Sequence, residues 1–159
     1  MKVKKLQNLL LVAGLGIVCI STWTSCRGDG TGLTASGELE GVSGFAAQIQ
    51  PIFDTNCIRC HAPGGFGFLQ TGGSENNGLD LTRGTSHSSL VNQPTFEAPD
   101  VEPKMRVEPG DAEGSYVYQK IVSATPKFGR RMPFDGPPFL SASETELIRA
   151  WIEQGAPNN

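Results

Sequence analysis

The stretch Gln50-Pro51-Ile52-Phe53-Asp54-Thr55-Asn56-Cys57-Ile58-Arg59-Cys60-His61 decides how the rest of the chain is read. It ends in Cys57-Ile58-Arg59-Cys60-His61, a C-x-x-C-H sequence, which is the pattern of covalent c-type haem attachment. The spacing has a geometric reason. Thiols three positions apart on one helical turn reach the vinyl groups along one edge of a haem and form thioethers. The adjacent histidine then points its imidazole at the iron from the same side. Rival chemistries fit this context poorly. A thioredoxin-type pair follows a strand and opens a long helix in a βαβ pattern, which the sequence lacks. A zinc site needs two more ligands, and beyond His61 the chain has only His87 and no second C-x-x-C. A disulfide between Cys57 and Cys60 would close a very small loop and leave His61 unexplained.

Composition agrees with a cofactor-built core. The 159 residues include 20 Gly and 11 Pro, and only 38% are hydrophobic. A chain so rich in loops needs a disulfide, a metal or a bound group to hold one shape.

Upstream of the motif the chain reads as an address and a tether. Lys2, Lys4 and Lys5 precede an uncharged run, Leu9 to Ile20, which is short for a membrane span and suits the apolar part of a signal peptide. Thr22-Trp23-Thr24-Ser25-Cys26 looks like a bacterial lipoprotein cleavage site, with Trp23 departing from the usual aliphatic residue. The expectation is a signal peptide over 1–25, removed on export, with lipid on Cys26 holding the protein at the periplasmic side of a membrane. Residues 26–43 then form a glycine-rich flexible linker, and 44–159 one domain. Without the three lysines of the leader, ten basic residues face sixteen acidic ones, a formal −6. That excludes nucleic acid as a partner and argues against a polybasic membrane contact.

Within the domain, Phe45, Ile49, Ile52 and Phe53 form one helical stripe leading into the motif. Pro51 either kinks that helix or begins its second half, since an interior proline costs roughly 3 kcal/mol. Residues 62–79 read as a glycine-rich loop, Thr85 to Val91 as a short helix, and Tyr116 to Val122 as another. Ser141 and Glu144 form a capping box before a stripe of Leu147, Ile148, Trp151 and Ile152, closed by Gly155 and Pro157.

If the iron is to shuttle electrons it needs a sixth ligand, and Met132, Met105 and His87 are the candidates. Met132 lies in Gly129-Arg130-Arg131-Met132-Pro133-Phe134-Asp135-Gly136-Pro137-Pro138, a segment that cannot be a helix or a central strand. A methionine on such a loop is explained by ligation better than by packing. Met105, in the alternating Lys104-Met105-Arg106-Val107, reads as a half-buried extended residue. His87, in Thr85-Ser86-His87-Ser88-Ser89, reads as solvent-exposed or a cap. Arg130 and Arg131 read equally well as partners for haem propionates, as partners for a docking protein's acids and as solvated charges.

The order of these features resembles the class I cytochromes c over residues 44–157, and most nearly the planctomycete-type cytochrome c domains of exported bacterial proteins. Gln50-Pro51-Ile52-Phe53 through His61, Gly78-Leu79-Asp80-Leu81, Ser89-Leu90-Val91, Val107-Glu108-Pro109-Gly110-Asp111, Met132-Pro133 and Leu147 to Ile152 carry the likeness. It implies an all-α, cytochrome c-like fold of three to five short helices with long Gly/Pro-rich loops around one covalent haem. It implies Cys57 and Cys60 as thioether attachments, His61 as proximal and Met132 as distal ligand, and Phe53 packed on Trp151 and Ile148. The expected role is that of an electron carrier rather than an enzyme, monomeric, with unnamed redox partner proteins. The alternatives are a haem sensor or peroxidase-like enzyme with a displaceable sixth ligand, and an electron-relay subunit of a dehydrogenase.

Overall fold

The computed structural model describes residues 44–73, 77–96 and 105–159. Every described residue belongs to one compact unit, Leu33–Asn159. The expected leader, Cys26 and the linker lie outside the described residues. Among the described residues there is no strand, only isolated bridges pairing Val91 with Val107, Pro94 with Met105 and Glu108 with Asp111. The domain is all-α and built from short helices. Among the described residues no helix is long and apolar enough to cross a membrane.

A π-helical turn, Phe45–Ile49, leads directly into α1, Gln50–Asn56. Pro51 explains the junction. It has no N–H to donate, so it sits in the first turn of α1, and the preceding turn closes with the wider bond from Gln50 N–H to the Phe45 carbonyl. Then follow α2, Phe66–Gln70, α3, Ser86–Leu90, α4, Tyr116–Val122, and α5, Ala142–Glu153. The sequence reading missed α2. It is a single short turn, and two of its five residues, Phe66 and Gly67, carry no helical signal of their own.

Helix α5 is the spine of the domain. The π turn and α4 both pack on it. Ser141 Oγ accepts from the Glu144 N–H at 3.2 Å, and the Glu144 carboxylate accepts from the Ser141 N–H at 2.7 Å, completing the capping box. At the other end, Ala156 N–H bonds the Trp151 carbonyl and Gly155 N–H the Ile152 carbonyl, both at 2.9 Å. That pairing is a Schellman stop, and Gly155 supplies its left-handed residue at φ +92°. Ile148, Trp151 and Ile152 are fully buried, together with Ile49, Leu90 and Val107. Trp151 Nε1 donates to the Pro157 carbonyl at 3.0 Å, so its one polar atom is satisfied inside the core.

Phe53 belongs to the same cluster as Trp151 and Ile148. The ring lying against Trp151, however, is Phe45, at 5.1 Å between centroids, and Phe53 stacks in turn on Phe45 at 6.2 Å. His87 differs from its expectation as an exposed or capping residue. It is half-buried, edge-on to Phe45 at 5.2 Å and to Trp151 at 6.1 Å, with Nε2 bonded to the Ala156 carbonyl at 2.8 Å. The polar neighbours in sequence concealed it, because the aromatic wall that receives it comes from both ends of the domain.

Candidate cofactor site

A cavity of about 500 Å³ opens beside α1. That lies within the roughly 300–1,000 Å³ of cofactor and small-molecule sites. Its walls are mainly apolar: Phe53 and the motif on one side, Leu81 and Leu90 behind, Tyr116, Val117 and Ile121 of α4, and Ile148 of α5. Cys57, Cys60, His61 and Met132 all line it. His87 and Met105, the other candidates for a sixth ligand, do not line it.

The motif is a tight turn at the end of α1. Cys57 N–H still bonds the Phe53 carbonyl at 2.9 Å, His61 N–H bonds the Cys57 carbonyl at 2.9 Å, and Cys60 N–H bonds the Cys57 carbonyl at 3.1 Å. Both cysteines are free thiols. Burial pushes the Cys57 thiol up to about 12, and the charges of Cys60 and Glu144 push the same way. A reactive or metal-binding thiolate needs the opposite shift, so Cys57 is unsuited to thioredoxin-type exchange. Among the described residues no three His, Cys, Asp or Glu gather as a ligand set for a bare metal ion.

His61 is fixed from both sides. Its carbonyl accepts from Leu81 N–H at 2.8 Å. Leu81 is held in place because its own carbonyl accepts from the buried Gln50 side chain at 3.0 Å. The imidazole lies against Gly67 of α2, where a Cβ would come within 2.6 Å of Cε1 and 2.8 Å of Nε2. Only glycine leaves room for the ring there, so α2 is a floor for His61 that the sequence reading did not find.

Met132 is half-buried and packs against the core, and its N–H donates to the Lys120 carbonyl at 2.8 Å. Lys120 is buried and its Nζ donates to the Phe128 carbonyl at 2.8 Å, which ties the start of the loop to α4. The two flanking arginines have aromatic partners. The Arg130 guanidinium lies 5.2 Å from the Phe134 ring centre. Arg131 lies 4.4 Å from that of Phe139 and donates from Nε to the Ile121 carbonyl at 2.8 Å. At the cavity mouth Arg59 pairs with Asp135, and Phe66 stands 6.5 Å from Phe134, both rings largely exposed.

Arg106 is the other residue that sequence reasoning missed. Alternation in Met105-Arg106-Val107 sends one side chain inward and the next outward. The structure buries both Arg106 and Val107, and Arg106 lines the cavity. Its guanidinium donates to the Ser89 carbonyl at 2.8 Å and to the carbonyls of Thr71 and Asn77. Burial holds it below its ordinary pKa.

The donor set and the cavity fit a haem. A volume of cofactor size, apolar walls, two thiols on one lip, an imidazole seated beside them and a thioether from a separate loop are what the group requires. No protein-family model, curated protein or solved structure matches the chain.

Proposed function

We propose that the domain is a monohaem cytochrome c of class I type that carries electrons, exported and tethered by lipid on Cys26 at the periplasmic side of a membrane. The observation that supports this best is the convergence of Cys57, Cys60, His61 and Met132, drawn from two segments about seventy residues apart, on one apolar cavity. Bound there, a haem iron supplies a reversible one-electron couple.

The chain's own residues set the terms of that couple. Cys57 and Cys60 hold the group through thioether bonds. His61, seated on Gly67 and anchored by Leu81, presents its imidazole from a fixed backbone. Met132 offers a soft thioether, which favours the ferrous state and raises the potential relative to two histidines. His61 and Met132 would together hold a haem iron through protein donors and leave no room there for peroxide or oxygen, which favours a carrier over an enzyme. The apolar walls exclude water, so few dipoles must reorganise when the charge changes. The acidic domain suits a redox partner with a basic docking patch, with salt-sensitive kinetics.

The test is export of the chain in a haem-maturing host. Covalent haem on the protein, a low-spin spectrum and the methionine–iron charge-transfer band are the expected results. The band disappears and the potential falls in Met132→Ala, and covalent haem disappears when both cysteines are replaced by alanine. A wild-type protein without covalent haem sinks the reading. A band that survives Met132→Ala removes Met132 as ligand, and rapid carbon monoxide binding to the reduced wild type favours a sensor.

A further inference from the structure

The cavity wall carries a buried guanidinium, that of Arg106, whose hydrogen bonds among the described residues reach no acid. Arg106 is 5% exposed and Lys120 is 7% exposed, and both line the cavity. Among the described residues, every hydrogen bond from the Arg106 guanidinium ends on a neutral oxygen: the carbonyls of Thr71, Asn77 and Ser89 and the Ser89 hydroxyl. The acid lining the same cavity, Asp135, is exposed and paired with Arg59. The third cation there, Arg130, is exposed and lies over Phe134.

A guanidinium withdrawn from water without an anion is an expensive arrangement, and neutral carbonyls compensate it only in part. It becomes favourable when the cavity is filled by something that brings a carboxylate, because a charge-assisted bond in a dry site is among the strongest available. The planar fork of Arg also suits a carboxylate better than a point charge does.

We infer that Arg106 is the built-in counter-charge for a carboxylate of the group that fills the cavity, which on the haem reading proposed above is a propionate. The role falls to Arg106 and not to Arg130 or Arg131, whose guanidinium groups are stacked on Phe134 and Phe139. Arg106 thereby ties the ligand to the segments whose carbonyls accept from it, residues 71, 77 and 89. A carboxylate beside this cation stays ionised, whereas the same carboxylate buried without it titrates well above the usual value of about 4.3.

The experiment compares the reduction potential of the mature haem protein against pH for the wild type, Arg106→Gln, Arg106→Lys and Arg130→Gln, between about pH 5 and pH 8. The expected result is that Arg106→Gln has a lower potential at the alkaline end and a potential that climbs as pH falls, as its propionate takes up a proton. Arg106→Lys and Arg130→Gln follow the wild-type profile. If Arg106→Gln binds haem and tracks the wild type, the assignment is wrong. Should that variant yield no mature protein, infrared redox-difference spectra of the wild type decide. A protonated carboxyl band from the haem growing in over this range overturns the assignment, and its absence supports it. A wild type that attaches no haem overturns the haem reading itself, an outcome distinct from a haem protein with an unchanged profile.

Discussion

Arg59, inside the C-x-x-C-H turn, is ion-paired with Asp135, three residues beyond Met132. The pair joins the two segments that supply the candidate ligands of the cavity, which Asp135 itself lines. Both side chains are mostly exposed, at 73% and 54%, so the bond is screened by salt and adds little to global stability. Its role is to hold the Met132 loop near the motif.

The hydrogen bond from Arg59, followed by one from the backbone, holds the Asp135 carboxyl below its ordinary value of 3.8. A depressed acid contributes stability above its ordinary value and loses it as pH falls through the lowered one. Asp135→Asn is therefore expected to melt close to the wild type at neutral pH and high salt. At low salt the wild type is slightly ahead, and the gap closes as pH falls below the ordinary carboxylate value. Thermal melts at two salt concentrations across that range check this. A gap insensitive to both salt and acid contradicts it.

Gly67→Ala places a methyl group 2.6 Å from the His61 ring, so either α2 or the imidazole must move. Overpacking of this kind typically costs about 1–3 kcal/mol. The expected outcome is a lower urea midpoint together with an altered low-spin ferric signal. A variant with both unchanged shows that the ring does not rest on Gly67.

Ser141→Ala removes the hydroxyl that accepts from Glu144 N–H at 3.2 Å. Loss of such a cap costs about 1 kcal/mol. Burial opposes ionisation of Glu144, but hydrogen bonds from the Ser141 N–H and hydroxyl and from Asn56 outweigh it, and the carboxyl lies below its ordinary 4.5. Its contribution is present above that value and fades as pH falls below it. Urea titrations should show the wild type losing its advantage over Ser141→Ala in acid.

Trp151→Ala empties the centre of the core, where Trp151 is fully buried against Phe45. The expected loss is about 3–5 kcal/mol, enough to unfold a marginal domain. Trp151→Phe keeps most of the apolar contact and loses the bond to Pro157, so it should fall between. Denaturant titration ranks the three; an alanine variant as stable as the phenylalanine one contradicts this packing.

Much of the domain was legible in the chain itself. The capping box, the stripe of Ile148, Trp151 and Ile152, and the Gly155 stop are local devices, each written within one helix and its ends. Pro51 announced a change of helix because its missing N–H acts within a turn. Cys57, Cys60 and His61 stand together in sequence, so their chemistry needed no fold to be read.

Tertiary structure alone decided the rest. Gly67 became the seat of His61, His87 was drawn into the Phe45–Trp151 wall, and Arg106 was buried against the expectation of alternation. Arg59 met Asp135, 76 positions away, only because the chain closes around the cavity. Helix caps, stops and ligand spacing depend on neighbours a few residues off and are written in order along the chain. Burial of a charge, the floor under a ring and the meeting of Met132 with the motif depend on which segments share one volume, and that follows only from packing the whole domain.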